Sequence, residues 1–220
     1  KKFLIILLLA SFDIIFAGES EDFKIVDNLY KERNFRAALR ETEKFLIKYP
    51  ESKYQKSMKD KLAKIYFLEK DYKKAEEIFK KLFVIEEKKS QRDEYASYLA
   101  RTKALLNKAD ETDFYLREIN DEKTYQRTLF SVAQDFLSKD NNEAAKDAYK
   151  EIIDNKYEND KDAMMGLGIV NYNLKEYDKA IYWFSEFSKA KPKEKEYILC
   201  DGHGLSLRIK PNGSKLWLFN

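Results

Sequence analysis

Residues 163–192 read "AMMGLGIVNYNLKEYDKAIYWFSEFSKAKP". Apolar residues three and four apart run to Tyr172, a polar turn follows, and a second amphipathic run from Tyr177 ends at Pro192. That pattern predicts two helices joined by a short turn, stopped by a proline that cannot continue the second. The order recurs in "FKIVDNLYKERNFRAALRETEKFLIKYP" (23–50), in "MKDKLAKIYFLEKDYKKAEEIFKKLF" (58–83) and in "LFSVAQDFLSKDNNEAAKDAYKEIIDN" (129–155). Three copies place an aromatic residue at the turn (Phe35, Tyr72, Tyr177) and an alanine three residues later (Ala38, Ala75, Ala180). A degenerate copy, "DEYASYLARTKALLNKADETDFYLREIND" (93–121), has Thr112 at the alanine position.

Where the paired helices meet, the copies carry Val26, Ala63, Ala100, Ala133 and Gly168, spaced 37, 37, 33 and 35 residues apart. Small residues there let two helix backbones approach, and the aromatics fill the space beside them. One such pair cannot bury its own apolar face, so neighbours must stack. Met164, Met165, Trp183, Phe184 and Phe187 are expected in that packing rather than around a ligand.

These copies resemble the tetratricopeptide repeat (TPR) family, whose unit is a helix-turn-helix of about 34 residues. The last copy carries Leu167-Gly168, Tyr177, Ala180, Phe184 and Pro192 at the family's spacings, and no Trp opens any copy. The resemblance covers residues 20–192. It implies an all-α, TPR-like solenoid of about five repeats that binds proteins and performs no chemistry. The expected partner is an extended peptide or helix held in the concave groove. Arg101, Asn171 and Lys175 are the candidate groove residues, the last two read as lying on the first helix of the final copy.

Composition narrows function further. Of the 220 residues, 37% are charged, yet the formal net charge is only +3. The single cysteine, Cys200, allows no internal disulfide, and with the single histidine, His203, leaves no Cys/His set for zinc. No P-loop or GxGxxG sequence occurs, and the "GLG" at 166–168 lies inside a predicted helix. No catalytic residue, metal, cofactor or small-molecule substrate is expected.

Both ends differ from the repeats. "KKFLIILLLASFDIIFA" (1–17) has a basic start, an apolar middle and a closing small residue, the form of a cleaved export signal. It is shorter than the roughly 20 apolar residues of a membrane span. The expected location is therefore the bacterial periplasm or another exported site, with no stable membrane span after cleavage.

Residues 189–220 hold seven Lys/Arg against three Asp/Glu. Leu205, Leu207 and Ile209 alternate with polar residues, and Asn212-Gly213 can form a tight turn, which predicts a β-hairpin over 193–220. Lys191-Pro192, Asp201-Gly202, Gly204-Leu205, Pro211, Gly213-Ser214-Lys215 and Trp217 resemble the start of the arm-type DNA-binding domain of phage-like tyrosine integrases. That resemblance implies DNA contacts at Arg208, Lys210 and Lys215. It also implies a truncated arm without the recombinase domain, joined to the repeats near Lys189–Lys193. An alternative function follows: a cytoplasmic DNA-binding protein that uses this arm.

Overall fold

The computed structural model describes residues 18–190, 197–200, 205–209 and 215–219. The expected export signal, Lys210, His203 and most of the expected hairpin turn lie outside the described residues. The chain divides into two compact units, 1–102 and 103–220.

In the first unit, α1 (18–31), α2 (Phe35–Lys48), α3 (Gln55–Leu68) and α4 (Tyr72–Ile85) form two helical hairpins. Helix α5 (Lys89–Leu105) begins there and ends in the second unit. The second unit continues with α6 (Ala109–Arg117), α7 (Glu122–Leu137), α8 (Asn142–Asp154), α9 (Asp160–Asn173) and α10 (Tyr177–Ala190). Among the described residues, no helix is long and apolar enough to cross a membrane.

Each hairpin turns by the same device. Arg33, Lys70, Asn107, Asp140 and Lys175 have φ between 57° and 65°, in the left-handed region. Their spacings are again 37, 37, 33 and 35. In the second hairpin the Asp71 N–H donates to the Tyr66 carbonyl (2.8 Å), and the Lys70 N–H to the Phe67 carbonyl (3.1 Å). Those two bonds satisfy carbonyls that the ending helix leaves open. The same long bond runs from Asn34 to Leu29, Lys108 to Lys103, Asn141 to Phe136 and Glu176 to Asn171.

The residue after each left-handed position starts the next helix. Asn34, Asp71 and Asn141 accept from the backbone N–H three residues on, at 3.4, 3.3 and 3.2 Å. Such a cap contributes about 1 kcal/mol. Lys108 makes no side-chain cap. The helix it precedes, α6, has nine residues, whereas α2, α4 and α10 have 14. In the degenerate copy the helix that follows the turn is thus the shortened one.

The buried residues obey the same spacing. Val26, Ala63, Ala100, Ala133 and Gly168 are all buried, as are Ala38, Ala75, Thr112, Ala145 and Ala180. Thr112 tolerates its alanine site because its hydroxyl donates to the Lys108 carbonyl at 2.9 Å. The turn aromatics pack edge-on against the end of the preceding helix: Tyr30–Phe35, Phe67–Tyr72 and Tyr172–Tyr177, with ring centroids 5.7–5.9 Å apart. Phe184 and Phe187 are buried, while Met164, Met165 and Trp183 are half-buried.

Beyond α10 the expected hairpin is present with an additional strand. β1 (Tyr197–Cys200), β2 (Leu205–Ile209) and β3 (Lys215–Phe219) form an antiparallel sheet in the order β1-β2-β3. The sequence reading took 193–220 for a hairpin and did not separate β1 as a strand of its own, because four residues are too short to display alternation. Two strands alone are marginally stable, and a third supplies the missing ladder.

Candidate functional site

In the first unit, the first helices of successive copies lie side by side, and one face of α1, α3 and α5 carries a continuous polar network. Equivalent positions recur 37 residues apart, so Asp27, Lys64 and Arg101 share one place in the repeat, as do Lys24, Lys61 and Tyr98.

Lys61 on α3 donates to Asp27 on α1 at 3.0 Å, and Asp27 also pairs with Lys31 at 2.6 Å. The ammonium of Lys61 stands 5.1 Å from the Tyr30 ring centre. Hydrogen bonds from Lys31 and Lys61 hold the Asp27 carboxyl below its ordinary range.

Lys64 is the centre of the network. It pairs with Asp60 at 2.9 Å within α3 and with Glu94 of α5 at 2.8 Å, and lies 5.8 Å from the Tyr98 ring centre. Burial pushes the Asp60 carboxyl up despite its lysine partner. Burial also presses the Lys64 ammonium down, but Asp60 and Glu94 together carry it well above its usual value. The two partners shift in the same upward direction for different reasons: two carboxylates share one ammonium, and Asp60 is deeply placed. Burial likewise raises the Tyr30 and Tyr98 hydroxyls. Phe67 packs edge-on against Tyr98 at 5.3 Å and Tyr98 stacks on Phe79 at 4.7 Å, which fixes the floor of the face.

Among the described residues there is no group of His, Cys, Asp and Glu fit to hold a metal ion.

Arg101 belongs to this face: its guanidinium stands 5.1 Å from the Phe67 ring centre. Asn171 is only 1% exposed, and its side-chain amide donates back to the Leu167 carbonyl at 2.7 Å. Lys175 is exposed in the turn after α9, in the left-handed position, rather than on the helix where the sequence reading put it. Arg208 lies in β2 opposite Ile198 and Leu216, and Lys215 in β3 opposite Ile209. Asp60, Lys61, Lys64, Glu94, Tyr30 and Tyr98 were missed. For Lys64 the signal was the 37-residue offset, which ties it to Asp27 and Arg101, whereas Asp60 falls at the place of Phe23 and Ser97 and carries no such signal.

Residues 133–195 match the family model described as tetratricopeptide repeat. The crystal structure of the MamA protein superposes with a TM-score of 0.58, at 19% identity, over 83% of this chain and 98% of that one. The helical repeats are tetratricopeptide-like. YrrB, described as a TPR protein with an unusual peptide-binding site, superposes with a TM-score of 0.53 at 14% identity, over 79% of this chain and 86% of that one. At these identities the likeness is one of fold. A stretch of 35 residues is 57% identical to prophage integrase IntA of Escherichia coli (strain K12), in keeping with the resemblance read in residues 189–220. It represents 16% of this chain and 8% of the integrase. The TPR-like hairpins place Asp27, Lys64 and Arg101 at one repeat position on successive first helices.

Proposed function

We propose that this chain is an exported, non-catalytic scaffold that binds protein partners along the first-helix face of its TPR-like repeats. The supporting observation is the charged and tyrosine-rich network joining α1, α3 and α5 through Lys61–Asp27 and Lys64–Glu94. Hydrogen-bonding groups set among Tyr30, Phe67 and Tyr98 suit a polypeptide, which offers both amide dipoles and apolar stems. The peptide-binding site described for YrrB supports the same use of the fold. Export rests on the basic and apolar pattern of residues 1–17.

Cell fractionation tests export: a periplasmic product cleaved near Gly18 is expected, and a cytoplasmic product that retains residues 1–17 overturns it. Partner capture by the wild-type chain, lost when Lys64 and Arg101 are both replaced by Ala with helix content unchanged, tests the face. Capture that is indifferent to both replacements removes it.

The alternative reading, DNA binding through the tail, draws on the integrase similarity and on Arg208 and Lys215 in adjacent strands. The discriminating measurement is salt-dependent DNA binding by the full chain and by a chain ending at Ala190. Phosphate contacts give an affinity that falls steeply with salt. Loss of such binding on truncation establishes the alternative.

A further inference from the structure

We propose that the ends of α2 and α4 form a docking surface for an anionic lipid bilayer. Ile47, Val84 and Ile85 enter its headgroup layer, and the lysines beside them meet its phosphates. This goes beyond the scaffold reading, which concerns the first helices.

Three observations carry it. First, Ile47, Val84 and Ile85 are the most exposed large apolar side chains among the described residues, at 81, 75 and 64%. All three lie in the last turn of α2 or α4. Single exposed apolar residues are ordinary, whereas these three gather at equivalent helix ends. Ile47 and Val84 hold one place in the repeat, and the later copies fill it with Asp121, Asp154 and Lys189. The aliphatic choice belongs to the first two copies alone.

Second, the charge of the second helices changes along the chain. Those of the first two copies with the loops that follow, residues 35–54 and 72–92, hold twelve Lys/Arg against seven Asp/Glu. Those of the later copies, residues 109–121, 142–159 and 177–190, hold six against twelve. Lys44 and Lys48 flank Ile47, and Lys81, Lys88 and Lys89 flank Val84 and Ile85, all of them exposed. The exposed Glu43, Glu51 and Glu87 are within the first count. Lys44, Lys48 and Lys81 pair with Glu41, Asp22 and Glu77. Pairs this exposed are weak, so a lysine can exchange its carboxylate for a lipid phosphate.

Third, at these exposures the aliphatic side chains stand out from the helix ends instead of lining a hollow. A fluid headgroup layer takes such tips without a matching socket, while lysine stems lie along it with their ammonium groups at the phosphates. An acidic polypeptide meets the lysines but leaves the tips in water unless it carries a socket for each.

The test is co-sedimentation with vesicles of an equal mixture of phosphatidylcholine and phosphatidylglycerol, and of phosphatidylcholine alone. It is read on the full chain and on the chain beginning at Gly18, because residues 1–17 are themselves apolar. Both chains are expected to bind the mixed vesicles about tenfold more tightly than phosphatidylcholine, a preference that high salt removes. Ile47→Ser, Val84→Ser and Ile85→Ser together are expected to weaken binding to the mixed vesicles about tenfold at low salt. Lys81→Gln, Lys88→Gln and Lys89→Gln together, which keep the aliphatic tips, are expected to narrow the lipid preference. Circular dichroism checks the fold of each chain, and the preference of the wild type is read before any variant. Equal binding to both vesicles, binding only when residues 1–17 are present, or a folded serine variant that binds as the wild type does overturns the inference. So does polyglutamate held by the wild type while both vesicles are ignored, which gives the surface to an acidic protein instead. None of these results bears on capture through Lys64 and Arg101, so the scaffold reading stands or falls separately.

Discussion

Gly168 faces the ring of Phe184 so closely that a Cβ at position 168 would lie inside the ring's contact distance. Gly166 meets the Tyr149 ring in the same way. The two glycines on α9 thus face the second helix of their own hairpin and that of the hairpin before it. By the repeat spacing the position of Gly168 corresponds to Val26, Ala63, Ala100 and Ala133, and that of Phe184 to Thr42, Phe79, Leu116 and Tyr149.

Gly168→Ala is therefore expected to destabilise the second unit despite the better helix propensity of alanine. Propensity offers about 1 kcal/mol, whereas overpacking a fixed ring costs about 1–3 kcal/mol. Phe184 is buried and has little room to withdraw. Urea unfolding should show a lower midpoint for Gly168→Ala, recovered in part by Phe184→Leu in the same chain. A midpoint that rises in the single variant would mean that the helices part easily.

Lys103 is expected to be the weak point of the degenerate hairpin. It occupies the position that holds Leu29, Tyr66 and Phe136 in other copies, and is 1% exposed. Its ammonium is ion-paired with Glu111, which also pairs with Lys108 at 3.0 Å. Hydrogen bonds from Lys103 and Lys108 lower the Glu111 carboxyl from 4.5 to about 2. A carboxyl depressed in the folded state stabilises fully above its unfolded value and loses that contribution as pH falls toward its folded value. The loss therefore falls between pH 4.5 and about 2. Thermal unfolding across that window should fall less steeply in Glu111→Gln. At neutral pH Glu111→Gln should lose about 1–3 kcal/mol, less than a fully buried pair would because Glu111 is half in solvent. Lys103→Met, which removes the buried charge itself, should be neutral or stabilising.

The turns give a third expectation. A non-glycine residue in the left-handed region costs roughly 1 kcal/mol, and Lys70 is held there at φ 65°. Lys70→Gly relieves that cost but gives the unfolded chain more freedom, so a net gain of about 0.5 kcal/mol is expected. Lys70→Val, branched at Cβ, should lose more than 1 kcal/mol. Equal melting temperatures for the three chains would show that the turn opens at little cost.

The repeat was legible because burial acts on every copy alike. Alanine at 38, 75, 145 and 180, and a small or branched residue at 26, 63, 100, 133 and 168, are demands of helix–helix approach. The turns were legible as places but not as conformations, since Arg33, Lys70 and Lys175 adopt a geometry usually given to glycine. Of the candidate face, Arg101 was singled out in the sequence and Lys64 was not, although the two occupy equivalent repeat positions. The 37-residue spacing is strong at apolar positions, whereas Asp60, Lys61 and Lys64 within "MKDKLAKIYF" have the charged composition of any solvated helix face. The strand β1 was hidden for a different reason: its pairing partners Leu207, Arg208 and Ile209 are distant in sequence, and four residues carry little periodicity of their own.

Asn171 separates a polar residue type from a polar environment. A helical asparagine in the best-preserved copy looks like a ligand contact, but α9 turns it inward to the position filled by Tyr66 and Phe136 elsewhere. Its amide nitrogen bonds the Leu167 carbonyl, and its Oδ1 is buried with no hydrogen-bond partner among the described residues. A buried acceptor left unmatched costs about 1–3 kcal/mol. Leucine has the same branched heavy-atom skeleton and no such demand, so Asn171→Leu should stabilise the second unit by about 1 kcal/mol, read as a higher urea midpoint with unchanged slope. If Asn171 instead contacts a partner, the substitution weakens partner capture without that gain. A variant that captures partners normally and resists urea better establishes Asn171 as packing.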